Sequence, residues 1–244
     1  MIKHHPSEWE IEDFVAGKLD PIASLLISAH IDMCRCCAIR AENAQHRQSK
    51  ALESKSLDNL GLDLALAKMM DEIVARPRSD SQYQQLSSSI TVANENHNLH
   101  LTETKKLRLD GKEFLVPRTL TKFVDARGVW SKHLGKLWQL GVNLGGNHIG
   151  YFLYLDADGS VPEHSHKGTE HILVLHGKFH DGLSTYSKGD LLTFNGSHTH
   201  APSTKEADGC LIFCVLDEPL SFTQAWAKLI NPLSHAFFKL KRVV

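Results

Sequence analysis

Two hydrophobic periodicities divide the chain. Near the amino terminus Ile11, Phe14 and Val15 recur at helical spacing, Ser7 with Glu10 forms a capping box, and Gly17 supplies a stop. Asp20 followed by Pro21 predicts an N-cap and first helical residue, and Ile22, Leu25, Leu26, Ala29 and Met33 carry an apolar face on toward about Arg40. A third apolar-periodic stretch runs from about Leu57 to Val74. Residues 1–75 therefore read as a small all-α bundle of three or four helices. A core of that size is marginal without a further constraint, so a structural metal would be physically useful there.

Residues 76–100 turn polar and irregular and read as a linker. Beyond them, over 101–244, the period becomes two. Leu137 to Leu144, Gly150 to Leu155, His171 to Phe179, Asp190 to Phe194 and Cys210 to Leu216 are short runs punctuated by Gly, Asp and Asn, which predicts an antiparallel barrel or sandwich. Ser221 and Gln224 form a second capping box ahead of Phe222, Trp226, Leu229 and Ile230, predicting a terminal helix. The fold class is thus α+β and multi-domain.

Composition removes several functions. The 244 residues are 42% hydrophobic and 23% charged, an ordinary globular balance. With 27 basic and 28 acidic residues the net charge is -1, so no bulk field draws the chain to nucleic acid. No apolar run approaches the roughly 20 residues of a spanning helix, and the first ten residues lack the pattern of a secretion signal, so the expected location is cytoplasmic and away from the membrane. Five cysteines, three of them within four positions, suit metal or redox chemistry there better than disulfides. Short basic runs at Lys105 to Arg108 and Lys239 to Arg242 read as solvated faces.

Histidine is unusually abundant, at 16, and clustered. His30, Cys34 and Cys37 fall at i, i+4 and i+7, which at about 100° per residue puts them within roughly 60° on one helix face. Cys36 lies off that face. A buried cysteine or two beside an incidental histidine is the plainer reading, but imidazole and thiolate suit tetrahedral zinc, and His4 or His5 would complete four donors. His30-x3-Cys34-x2-Cys37, with a histidine just before the first helix, resembles the zinc-binding anti-sigma domain of the ChrR type. The resemblance implies that His5 supplies the fourth ligand and that this zinc is structural. Cys36 departs from the family pattern, as an additional thiol able to compete as a ligand or to act as a resolving thiol.

In the second half His164, His166 and Glu170 stand at even spacings, which on extended chain returns all three to one face. His198 and His200 follow on a later segment. Such a set suits zinc, iron or manganese by ligand type. The core His164-x-His166-x3-Glu170-x6-Gly177 resembles a cupin, a jelly-roll barrel, and the resemblance gives His200, in His200-Ala201-Pro202, the fourth ligand position with His198 in reserve. His171 and His176 read as neighbours or exposed residues, and Cys210 and Cys214 as core.

Together these resemblances imply an anti-sigma factor: a zinc-stapled helical domain holding an extracytoplasmic-function sigma factor through apolar helix faces, and a cupin domain holding a second divalent metal, expected to be zinc, that senses oxidative or singlet-oxygen stress. No catalytic residue is assigned. The alternative is a metal-dependent cupin enzyme, a dioxygenase or isomerase, with a helical appendage.

Overall fold

The structure is a computed structural model that describes residues 1–53, 68–69, 71–72, 75, 105–124, 129–133, 136–145, 148–196 and 198–223. The expected linker at 76–100, most of the third helical stretch and the expected terminal helix beyond residue 223 lie outside them. Residues 1–42 and 104–244 cluster as one compact unit, and 43–103 as another.

Helix α1 (Glu8–Val15) begins as its sequence dictates. The Ser7 hydroxyl accepts from Glu10 N at 3.4 Å while the Glu10 carboxylate accepts from Ser7 N at 2.7 Å. Helix α2 (Pro21–Met33) is capped by Asp20, whose carboxylate accepts from the amides of Ile22 and Ala23. It does not continue to Arg40. Cys34 is extended (φ -121, ψ 100), and α3 (Arg35–Glu53) leaves at 119° to α2. The reason is geometric: seven residues of straight helix would carry Cys37 about 10 Å along the axis from His30, beyond the span of one ion's ligands. The break brings Cys37 Sγ to 3.3 Å from His30 Nε2.

The second half is antiparallel. A hairpin of β1 (Lys106–Leu109) and β2 (Lys112–Leu115) is followed by a 3-10 helix (Arg118–Phe123), β3 (Ser131–His133), β4 (Leu137–Gly145) and β5 (His148–Leu155). Then come β6 (His164–Ser165), β7 (Glu170–His176), β8 (Lys178–His180), β9 (Thr185–Ser187), β10 (Leu191–Phe194), β11 (Thr199–His200), β12 (Cys210–Leu216) and β13 (Ser221–Phe222). The main sheet has the order β10-β7-β12-β5-β4-β3, and a smaller one β11-β6-β13. Ser221 and Phe222, expected to open a helix, instead pair with Ser165 and His164.

Both faces of the main sheet are buried, which is why β7 and β12 read as nearly continuous apolar runs. Ile172, Val174, Cys210 and Cys214 point to one face, packed with Phe179, Tyr186, Leu192 and Phe194. Leu173, Leu175, Leu211, Phe213 and Val215 point to the other. That second face is covered by the first hairpin, the 3-10 helix and α2, whose Ile22, Leu26 and Ala29 belong to the same core as Phe152 and Phe213. The helical segment therefore does not present the face of α2 to solvent: its apolar stripe and the outer face of the sheet bury each other, removing both from water. Among the described side chains of α1 to α3, the large apolar ones that stay exposed are Trp9 and Ile39.

Candidate metal centres

At the first centre the bend between α2 and α3 gathers sulfur and nitrogen donors. His5 Nδ1 lies 3.4 Å from Cys34 Sγ, 3.4 Å from Cys37 Sγ and 3.8 Å from Cys36 Sγ. Cys34 Sγ and Cys36 Sγ are 3.2 Å apart, and Cys36 Sγ and Cys37 Sγ 4.0 Å. Zinc bonds of about 2.0–2.1 Å to nitrogen and 2.3 Å to sulfur separate tetrahedral donors by roughly 3.3–3.8 Å, so the spacing fits such an ion.

His5, Cys34, Cys36 and Cys37 are mutually within 4.8 Å, and His30 stands beside them through Cys37. The four donors that converge closely enough for one ion thus include Cys36 in place of the expected His30, which reaches the set only at Cys37; Cys34, Cys37 and His30 are buried and Cys36 is exposed. The His30 ring donates from Nδ1 to the carbonyl of Gly189 at 2.8 Å, which leaves the Nε2 lone pair facing the sulfurs. Burial lowers the His30 pKa to about 4, keeping the ring neutral as a ligand must be.

The Cys37 thiol is pushed up to about 12 by burial and the neighbouring sulfurs. At Cys34 burial also acts upward but is outweighed by hydrogen bonds from Cys37 and Cys36, leaving it lowered. Three crowded thiols cannot all ionise without a cation, and a cation removes that obstacle.

The second centre sits inside the barrel. His164 on β6 pairs in register with His200 on β11, His166 follows β6, and Glu170 opens β7. His166 Nε2 and His200 Nε2 are 2.9 Å apart, and His200 Nε2 and His164 Nε2 3.0 Å. Glu170 Oε2 is 3.3 Å from His166 Nε2 and 3.7 Å from His200 Nε2. All four residues are buried. His164 donates from Nδ1 to the carbonyl of Pro162 at 2.8 Å, so its Nε2 carries a lone pair toward the cluster.

The Glu170 oxygen facing the rings has no hydrogen-bond partner. Burial pushes the Glu170 carboxyl up to about 7 and lowers His166 to about 4, while burial and the adjacent imidazoles lower His200 to about 3. Converging neutral imidazoles with an orphaned carboxylate oxygen form a donor set that a divalent cation would satisfy.

His198 does not join the set; its Nδ1 is 3.1 Å from the side-chain oxygen of Asn195. His171 contacts the Thr193 hydroxyl, and His176 packs on Phe114. Cys210 and Cys214 are buried as core, but Cys214 also donates to Glu170 Oε1 at 3.3 Å, a contact with the ligand set that the sequence pattern did not reveal. Its signal was the pairing of β12 with β7, which sets residue 214 on the inner face with Glu170. Phe194 was missed likewise: its ring lies 4.8 Å from that of His200 and stacks at 6.5 Å on that of His166.

A cavity of about 60 Å³ lies beside this centre, reaching His164 and Glu170 and otherwise walled by side chains such as Leu153, Ile172, Phe179 and Ile212. That is space for about two waters, well short of the roughly 300 Å³ of an organic ligand pocket.

Residues 139–218 match the family model of the ChrR Cupin-like domain. The chain is 25% identical to the anti-sigma-E factor ChrR of Cereibacter sphaeroides, over 98% of this chain and 99% of that protein. It is similar in fold to the crystal structure of Rhodobacter sphaeroides SigE in complex with the anti-sigma ChrR, with a TM-score of 0.61 at 20% identity, covering 89% of this chain and all of the matched one. Among the described residues no single helix is long and apolar enough to cross a membrane.

Proposed function

We propose that this chain, which resembles the ChrR-type anti-sigma factors along nearly its whole length, is a regulator that sequesters an extracytoplasmic-function sigma factor in the cytoplasm. The observation that carries this reading is the end-to-end similarity to an anti-sigma factor in a chain that brings two separate metal-type donor sets together.

In this reading zinc occupies the thiolate centre, held by His5, His30, Cys34 and Cys37. Four protein ligands leave no open position, so the ion acts on structure by fixing the bend between α2 and α3. The cupin centre, with His164, His166, Glu170 and His200, holds a second divalent ion, zinc being the expected one, and serves as the sensor whose alteration under oxidative or singlet-oxygen stress releases the sigma factor. In this reading residues 1–75 carry the partner-binding helices, 76–100 the linker and 101–244 the sensor, with α2 sharing the core of the sensor.

The cavity of about 60 Å³ beside the second centre is smaller than an ordinary organic-ligand pocket, which favours the regulator over the enzyme alternative. It leaves room for water or a diatomic molecule, which suits a sensor of a small oxidant.

The test is affinity purification of the full-length protein from its own host without chelator, with bound proteins identified and zinc counted in the same sample. A stoichiometric sigma factor together with about one to two zinc ions per chain is the expected result. A metal-loaded chain that brings down no sigma factor, even when the host's extracytoplasmic-function sigma factors are co-expressed with it, would overturn the reading.

A further inference from the structure

The thiolate centre is not built by the helical segment alone. The carbonyl that fixes the tautomer of His30 belongs to Gly189, in the turn between β9 and β10, 159 residues away in sequence. The next residue, Asp190, is fully buried, and its Oδ1 accepts from the backbone amides of Lys3 and His4 at 2.6 and 2.9 Å, while Oδ2 accepts from Ser187 N at 2.8 Å. Leu191 N donates to the carbonyl of His4 at 3.1 Å.

The segment that delivers His5 is therefore fastened, residue by residue, to the same turn that orients His30. The turn accommodates only glycine at 189: its φ is +94, and a Cβ there would lie 2.4 Å from Ile2 Cδ1. The turn in turn is tied to the sheet through Gly189 N to Val174 O and Val174 N to Asp190 O.

The strand leaving this turn is β10. At its far end Phe194 packs against the rings of His166 and His200 and pairs in register with Glu170. Five residues of extended chain, roughly 17 Å, thus run from the support of one donor set to the wall of the other.

We propose that the Gly189–Asp190 turn positions the ligands of the thiolate centre, and that β10 makes metal retention there depend on the occupancy of the His164/His166/Glu170/His200 centre. Asp190 acts as a positioning residue: it touches no donor atom but holds the backbone that presents His5. A change in how His166 and His200 sit moves Phe194, and through β10 the carbonyl that holds His30. Loss of such outer support typically weakens a metal site about 10- to 100-fold.

The experiment uses the full-length protein loaded at both centres and challenged with a chromogenic chelator. A parallel cobalt-loaded sample identifies the thiolate centre by its sulfur-to-metal charge-transfer absorption. Asp190→Ala should release metal from the thiolate centre about 10- to 100-fold faster than the unsubstituted protein, with Asp190→Asn between them. His164→Ala, which leaves every contact of the turn in place, should empty the second centre and speed release from the first several-fold.

Release from Asp190→Ala at the original rate would overturn the positioning role, and an unchanged rate in His164→Ala would overturn the coupling. Should Asp190→Ala fail to fold, Ile2→Ser unseats the same segment without altering the barrel, and the same two outcomes decide. The readout is metal release from the protein by itself, so it is independent of whether a sigma factor binds.

Discussion

Asp32, near the end of α2, accepts two hydrogen bonds of 2.7 Å from Thr119, one from its backbone amide and one from its hydroxyl. Thr119 lies in the first turn of the 3-10 helix, where Pro117 provides no side-chain cap, so a carboxylate from another element does the capping. Asp32→Ala should therefore cost about 1 kcal/mol, measured as a shift in the urea midpoint at unchanged slope. Asp32→Asn, which keeps one acceptor, should lose less.

Leu26 gives a sharper test of how the helical segment and the barrel share a core. Its side chain is almost fully buried among residues of the outer sheet face. Leu26→Ala should destabilise by about 2–5 kcal/mol. The fluorescence of Trp130 and Trp138, which pack against the same cluster, should report the loss in the same transition. A barrel transition that does not move would mean that α2 and the barrel unfold separately.

Much of this architecture is local and could be read from residues alone. Caps at Ser7 and Asp20, the short apolar runs of β7 and β12, and the even spacing of His164, His166 and Glu170 each depend on neighbours within a few positions. What the pattern concealed depends on distant partners. The break at Cys34 is invisible to helix periodicity, because Ile31, Cys34 and Ala38 continue the apolar phase through it; the demand for convergent ligands overrides propensity there. Asp190 reads as a turn residue, and only the path of the amino-terminal segment shows that its carboxylate holds Lys3 and His4. Gly177 fits the cupin spacing, but its physical cause appears only in the fold: at φ +70 a Cβ would lie 2.1 Å from the carbonyl oxygen of Gly209.

The buried histidines set the acid response of the metal-stripped protein. His30, His166 and His200 have pKa values lowered to about 4, 4 and 3, so the unfolded chain takes up protons near its ordinary value of 6.5 while the folded chain does not. Their stabilisation is therefore present above pH 6.5 and is lost as pH falls toward about 4. Glu170, raised to about 7, has the opposite sign: its contribution is present below the ordinary carboxylate pKa and fades as pH rises through 7. Burial lowers His164 and His171 as well, so between those limits the histidines outweigh Glu170 and the urea midpoint of the metal-stripped protein should fall on acidification from pH 6.5 to 4.5. His200→Gln should flatten that slope; an unchanged slope would mean that His200 is protonated in the folded state as readily as in the unfolded chain.

With His30 beside the four converging donors of the thiolate centre, the role of Cys36 is decidable. Cys36 is exposed, whereas Cys34 and Cys37 are buried, and His30 stands ready on the inner side with its Nε2 facing Cys37. If His5, His30, Cys34 and Cys37 hold the ion, Cys36→Ser leaves a complete tetrahedral set, and the variant should keep one metal ion at this centre with chelator resistance near that of the unsubstituted protein. Cys34→Ser removes a buried thiolate that belongs to that set, and should weaken retention of the ion together with binding of the proposed sigma partner, since metal and fold are coupled. The opposite ranking, metal lost from Cys36→Ser and kept in His30→Ala, would assign the fourth position to Cys36 and leave His30 as a buried residue bound to Gly189. Metal content by elemental analysis and partner binding by co-purification, run on all three variants, separate the two ligand sets.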